Sequence, residues 1–334
     1  MLPNFNMVKF SEVQSMLLSI CLIIIGFILL IKGADFLVDG SSAIARRFHI
    51  PEIIIGLTIV SIGTSMPELF VSSTSSINGE SDMAIGNIIG SNLCNLLLIL
   101  GLSTVIKPVK FKRETRLIEI PMCLGITIIF MILCNIGHDI SRIEAIILIL
   151  MFALFITYTV IMAKKGEKFD KEDTTLKIQS ENKKIPIFKN ILFIILGVVA
   201  LKVGGDLTVD NATKIARMFN ISEKVISLTI LAIGTSLPEL VTSVTAAIKG
   251  NSDIAIGNII GSNIFNILLI IGVSALFSPL LYNVTYNIQM IILIIATIVL
   301  SLFPLIPPKN EMSRANGVIY LLIYIVYMAM LFVM

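Results

Sequence analysis

The stretch Gly-Thr-Ser-Met-Pro-Glu-Leu at residues 63 to 69 returns as Gly-Thr-Ser-Leu-Pro-Glu-Leu at residues 234 to 240, 171 positions later. Each copy sets a glycine, a proline, two hydroxyls and a carboxylate inside a long apolar run. At that offset residues 57 to 101 align with 228 to 272 without a gap, and 30 of the 45 positions are identical. Weaker pairing continues upstream, matching Gly33 with Gly204, Asp35 with Asp206, Asp39 with Asp210, Arg46 with Arg217 and Phe48 with Phe219. The chain is a duplication.

Of its 334 residues 56% are hydrophobic and 14% charged, whereas an ordinary soluble domain is about 25% charged. Apolar stretches near the ~20 residues that cross a bilayer recur from end to end. They leave no room for a separate soluble domain. Ten spans are predicted, at 16–38, 50–77, 82–105, 117–136, 142–163, 189–212, 222–248, 253–277, 287–306 and 315–334. Inside hydrocarbon only helices or a closed barrel satisfy the backbone, and barrel strands would read as alternating segments of about ten residues. The fold class is therefore an all-α membrane protein. The first apolar run follows Lys9 and Glu12 and lacks a small-x-small cleavage site, so it reads as a retained span rather than a signal peptide.

The charged stretch KKGEKFDKEDTTLKIQSENKK at 164–184 has no apolar periodicity and reads as a solvated loop. It divides the chain into a first five-helix repeat at 1–163, a linker loop at 164–188 and a second repeat at 189–334. Because five is odd, the second copy enters the membrane upside down, giving the inverted repeat common among secondary transporters. Lysine and arginine are retained on the cytoplasmic side. With ten spans, 18 of the 25 basic residues fall on one face, including Arg46, Arg47, Lys249, Lys309, Arg314 and the clusters at 107–116 and 164–189. The expectation is a multi-pass protein of the cell membrane with the 164–188 loop cytoplasmic and both termini outside. Cys21, Cys94, Cys123 and Cys134 lack the spacing of a zinc or redox pair and read as small hydrophobes. His49 and His138 fall at span ends and read as interfacial.

In the first copy Pro67 has no N–H, so the carbonyl of Gly63 loses its helical donor. Thr64 and Glu68 stand four apart with Ser65 between them, so hydroxyl, carboxylate and carbonyl oxygens are expected to converge. Gly234, Thr235, Ser236, Pro238 and Glu239 repeat the arrangement. The next span carries GNIIGSNLCN at 86–95 and its twin GNIIGSNIFN at 257–266, where Ser91 and Asn95, and Ser262 and Asn266, again stand four apart. The inventory is carboxylate, amide, hydroxyl and carbonyl oxygens with no histidine or cysteine nearby, the donor set of a hard cation such as Ca²⁺ or Na⁺. An ionisable residue at a helix centre costs roughly 2.5 to 3.5 kcal/mol on insertion scales and marks a functional site by default, so Glu68 and Glu239 read as ligands.

Polar residues in membrane helices also act as interhelical hydrogen-bond glue, and for Asn87, Asn92, Asn258 and Asn263 both readings stay open. Asp82 and Asp253, each after a serine and before an apolar run, read as helix N-caps. Lys32 with Asp35, and Lys202 with Asp206, read as local pairs of snorkelling side chains.

The motifs GTSMPEL and GTSLPEL, each followed by D-x-A-I-G-N-I-I-G-S-N, resemble the α-repeats of the calcium/cation antiporter superfamily, and within it the bacterial sodium/calcium exchangers. The likeness covers essentially the whole chain. It implies a transporter rather than an enzyme, exchanging Ca²⁺ for Na⁺ (in some branches H⁺, or with K⁺) at the centre of the second, third, seventh and eighth helices. Carried over by position, the ion ligands are Thr64, Ser65, Glu68, Ser91 and Asn95 in the first half and Thr235, Ser236, Glu239, Ser262 and Asn266 in the second, with backbone carbonyls near Ser61 and Ala232. One position departs: sodium/calcium exchangers commonly have aspartate where this chain has Asn266. The resemblance also implies that the first and sixth helices slide against the remaining bundle as the gate. No cofactor, nucleic acid or obligate protein partner is expected, only the bilayer and the ions.

Two carboxylates about 5 Å apart repel by roughly 3 kcal/mol at an effective dielectric of 20. One Ca²⁺, two Na⁺ or two protons cancel their charge, and exchange follows if only the loaded site changes faces. A channel could use the same oxygens, but its flux would persist without a counter-ion. The stretch DGSSAIAR at 39–46 resembles the start of a lipid head-group transferase motif, yet Ile44 occupies the position of its arginine. An intramembrane serine protease would need a histidine near Ser65, and neither histidine is so placed.

Overall fold

The computed structural model describes residues 5–173, 186–219, 232–305 and 310–333. Helix α1 (Phe5–Phe48) is followed by α2 (Glu52–Thr64) and α3 (Met66–Ile77), which are bent by 50° at Ser65. Then come α4 (Ser81–Ile106), α5 (Thr115–Gly137), α6 (Arg142–Asp173) and α7 (Ile187–Met218). After a helical turn at Ala232–Gly234 the chain continues as α8 (Leu237–Lys249), α9 (Ser252–Phe277), α10 (Val284–Leu305) and α11 (Arg314–Val333). Among the described residues eight unbroken helices are long and apolar enough to cross a bilayer, and the bent pair makes nine. The seventh predicted span, 222–248, begins outside the described residues.

The molecule is an all-α membrane protein whose halves are inverted. Four two-residue strands show this: β1 (Val109–Lys110), β2 (Asp139–Ile140), β3 (Leu280–Leu281) and β4 (Glu311–Met312). β1 pairs antiparallel with β4, and β2 with β3. β1 and β2 lie at opposite ends of α5, hence at opposite faces. At the repeat offset β3 is the counterpart of β1, yet it pairs with β2 at the far face. Equivalent segments therefore emerge on opposite sides.

Burial separates the helices into centre and periphery. In α4 and α9, 78% and 83% of the most apolar window is buried, against 17% to 39% in the other unbroken spans. These two central helices carry the GNIIGSN motifs. Glycine lets backbones meet there: a Cβ at Gly257 would stand 2.6 Å from the Ile53 carbonyl oxygen, and one at Gly261 would stand 2.7 Å from Leu57 Cα. At the periphery α1 lies along α7, and the repeat-related Gly33 and Gly204 face the carbonyls of Gly197 and Gly26 at 2.9 and 2.7 Å from an ideal Cβ. That contact makes the two repeat-initial helices one closely packed pair.

Several sequence expectations need correction. The α6 helix runs on to Asp173 rather than ending at 163, so the first part of the expected linker loop is helical, and residues 174–185 lie outside the described residues. Its Lys and Glu side chains are good helix formers, which polarity alone does not disrupt. Asp82 and Asp253 are not N-caps: Glu80 and Asn251 hold those positions, placing the aspartates inside the first turn. Asp253 instead forms a 2.6 Å ion pair with Lys112. Asp35 pairs with Lys249 of the other repeat at 2.9 Å rather than with Lys32, because Asp35 and Asp39 together offer that ammonium two carboxylates. The local pair Lys202–Asp206 does form, at 2.7 Å. His49 and His138 end α1 and α5 in left-handed conformation.

Candidate ion-binding site

The two hexapeptides break their helices in the same way. Ser65 has φ −85° and ψ 11°, and Ser236 has φ −87° and ψ 6°, so each serine is a non-helical hinge followed by a helix with proline in its first turn. Proline lacks the N–H that a continuing helix needs, but its fixed φ suits a helix start. The break therefore ends one helix and begins another. Glu68 and Glu239 fall in the first turn of α3 and α8, at the positive end of the helix dipole, which favours a carboxylate there. Both are 1% exposed, and neither is ion-paired among the described residues.

The break also separates Thr64 from Glu68, which therefore do not share one helix face as their spacing suggested. Thr64 Oγ1 donates to Asn258 Oδ1 at 3.0 Å. The carboxylates are held across the repeats. Ser65 Oγ donates to Glu239 Oε1 at 2.7 Å, and Ser236 Oγ donates to Glu68 Oε1 at 3.4 Å. Ser262 Oγ lies 2.9 Å from Ser65 Oγ, and Ser91 Oγ is 3.5 Å from Glu68 Oε1. Thr235 Oγ1 donates to Asn87 Oδ1 at 3.4 Å, the repeat image of the Thr64–Asn258 bond. Two buried hydrogen-bonded groups result, Ser65–Glu239–Ser262 and Ser236–Glu68–Ser91, while Thr64 and the half-buried Thr235 bond the asparagines of the other repeat.

The asparagines divide into two kinds. Asn258 Nδ2 donates to Ser243 Oγ at 2.9 Å and Asn87 Nδ2 to Ser72 Oγ at 3.0 Å, while each Oδ1 accepts from a threonine. These two are braces with both ends occupied. Asn266 opens the π-helical turn Asn266–Ile271 and Asn95 is the second residue of its counterpart Cys94–Ile99, a widened geometry often found at functional sites. Their amide nitrogens are bonded, but Asn95 Oδ1 and Asn266 Oδ1 are buried without a partner. Glu68 Oε2 and Glu239 Oε2 are in the same condition. Buried acceptors are ordinarily satisfied. Two carboxylate and two amide oxygens, each from a repeat-related pair, are thus left without a partner, and oxygens of this kind suit a hard cation.

The Ser61 carbonyl accepts from the Ser65 N–H at 3.0 Å, while Thr64 Oγ1, whose one proton goes to Asn258, lies 3.3 Å away. Ala232 begins the described part of its segment, just before the second hinge. Sequence reasoning missed Cys94: it is buried at the start of the π-helical turn that holds Asn95, so a cysteine does stand next to a candidate site residue. Adjacency to Asn95 was the available signal.

The family model described as sodium/calcium exchanger protein matches residues 18–161 and again residues 189–333. The chain belongs to that family. Among its relatives, Inner membrane protein YrbG of Escherichia coli (strain K12) is 36% identical over 327 residues, spanning 95% of this chain and 98% of that protein. Sodium/calcium exchanger MaX1 of Methanosarcina acetivorans is 31% identical over 343 residues, spanning 93% and 97%. The solved sodium-calcium exchanger NCX_Mj, soaked with Na⁺ and Ca²⁺, superposes with a TM-score of 0.80 at 34% identity, covering 93% of this chain and 98% of that one. Each half of this exchanger-family chain is matched separately, as its duplication requires.

Proposed function

We propose that the protein is a secondary active antiporter exchanging Ca²⁺ for Na⁺ by alternating access, with Glu68, Glu239, Asn95 and Asn266 as the inner ligands. Thr64, Ser65, Ser91, Thr235, Ser236 and Ser262 complete or brace the site, and the carbonyls near Ser61 and Ala232 join it in other conformations. The observation that carries this reading is the set of four buried oxygens without partners, drawn symmetrically from both repeats. The ions are cargo, and no resident cofactor enters the scheme.

The chemistry follows from charge. Two ionised carboxylates in a dry site repel each other and lose hydration, so the empty site resists crossing between faces. One Ca²⁺ or two Na⁺ neutralise the pair, and the loaded site can be occluded. Serines bonded to each carboxylate's Oε1 hold it in place while leaving Oε2 for the ion. The two repeats supply halves of one site related by a pseudo-two-fold axis in the membrane plane, so equivalent movements open it to either face. The α1–α7 pair is the element that slides, since glycine packing makes it one body.

Orientation follows the charge count. The ion pair Lys112–Asp253 and the β1–β4 pairing bring the basic segments near 107–116, 249 and 311–314 to one face, which we assign to the cytoplasm, with both termini outside and the protein in the cell membrane. The test of function is radiocalcium uptake into proteoliposomes under an outward Na⁺ gradient. Uptake that collapses when the gradient is removed, and is abolished by Glu68→Gln, is expected; uptake driven equally by pH or K⁺ gradients would replace Na⁺ as the coupling ion.

A further inference from the structure

The two asparagines that follow Ser91 and Ser262 make a closed exchange between the repeats. Asn92 Nδ2 donates to the backbone carbonyl of Asn263 at 3.3 Å, and Asn263 Nδ2 donates to the carbonyl of Asn92 at 3.3 Å. A carbonyl only accepts, so these bonds fix which end of each amide carries the NH₂. The oxygen ends are then committed as well. Asn92 Oδ1 accepts from Asn266 Nδ2 at 2.9 Å, and Asn263 Oδ1 accepts from Asn95 Nδ2 at 3.1 Å. Those bonds determine the next amides in turn, leaving Asn266 Oδ1 and Asn95 Oδ1 as the partnerless ends.

We propose that Asn92 and Asn263 are positioning residues for ion binding, each holding the amide oxygen of a ligand in the opposite repeat toward the cation. The inference rests on Asn95 and Asn266 being ligands. A primary amide can flip by half a turn and present NH₂, a donor that repels a cation, in place of its oxygen. Here the flipped form would set two oxygens against each other with no proton between them, at a buried place where an unmade hydrogen bond is costly. All four asparagines are buried, so water does not relieve that clash. The arrangement also ties the half-sites together, because each repeat's ligand is oriented by the other repeat.

The test uses the full chain in proteoliposomes and reads the half-saturating Ca²⁺ concentration and maximal rate of Na⁺-driven uptake, together with the melting temperature of the ion-free protein. Asn92→Ala and Asn263→Ala are each expected to raise the half-saturating Ca²⁺ about tenfold. The pair Asn92→Ala with Asn266→Ala is expected to go no further than Asn266→Ala alone, since an absent oxygen needs no orienting. Asn92→Leu, close in volume, serves if the alanine variant does not fold. Additive effects in the pair, or a lowered ion-free melting temperature with unchanged Ca²⁺ dependence, would overturn the proposal and leave a structural role. An unchanged half-saturating Ca²⁺ in both Asn95→Ala and Asn266→Ala would overturn the ligand reading, and this one with it.

Discussion

Ser65 donates a 2.7 Å hydrogen bond to Glu239 although 174 positions separate them, so the hinge of one repeat anchors the carboxylate of the other. The reciprocal bond, Ser236 to Glu68, is longer at 3.4 Å. A hydrogen bond to a charged group is worth about 1.5 to 3 kcal/mol, and the shorter one carries more of it. Ser65→Ala is therefore expected to weaken Ca²⁺ binding by more than tenfold, and Ser236→Ala by less. Titrating Ca²⁺ into the purified variants checks the order; equal losses would mean that the two bonds equalise once the ion is bound.

Asn266 is neutral, so the proposed inner ligands carry only the two glutamate charges. A charge of −2 is matched by one Ca²⁺ or by two Na⁺, which predicts exchange with little dependence on membrane potential. Imposing a K⁺-valinomycin potential on proteoliposomes during Na⁺-driven Ca²⁺ uptake tests this. Asn266→Asp is expected to introduce voltage dependence by admitting a further cation. Strong voltage dependence in the unaltered protein counts against the neutral cycle.

Lys249 bonds Asp35 and Asp39 of α1 at 2.9 and 2.8 Å, and Asn251 donates to Ser42 at 2.8 Å. At the repeat offset the counterparts of Lys249 and Asn251 are Asn78 and Glu80; Asn78 carries no charge to pair with Asp206 and Asp210, and Thr213 Oγ1 is buried without a partner among the described residues. The α1 helix is thus tied to the α8–α9 turn by contacts that α7 lacks. Each exposed pair contributes only about 0 to 1 kcal/mol, but the group acts together. Lys249→Gln is expected to speed deuterium uptake several-fold in residues 33–48 and to leave 204–218 unchanged. Equal acceleration in both segments would show a general loosening instead.

Gly257 meets α2 so closely that an added Cβ would stand 2.6 Å from a backbone oxygen, whereas a Cβ at Gly125 of α5 meets nothing within 4 Å among the described residues. Gly257→Ala must therefore move α2 away from α9, at a cost typical of overpacking, about 1 to 3 kcal/mol. Gly125→Ala should be neutral or slightly stabilising through helix propensity. Thermal melts monitored by size exclusion compare the two. A melting temperature lowered equally by both would place the cause outside this contact.

By itself the sequence determined the class and the duplication: long apolar runs require membrane helices, and identity at a fixed offset counts copies; the inversion, expected from an odd number of spans per copy, is seen in the pairing of β2 with β3. It also singled out both acids, because a carboxylate beside a proline in an apolar run has no cheap structural explanation. The helix ends were less legible. Asp82 and Asp253 follow serines as caps often do, yet position within a turn depends on where the chain arrives, and Asp253 was claimed by Lys112 from a distant loop. The partition of the asparagines belonged to tertiary structure alone. Asn87, Asn92, Asn95 and their twins are chemically identical in sequence, and an amide becomes brace, positioner or ligand only through which of its two ends finds a partner in the other repeat.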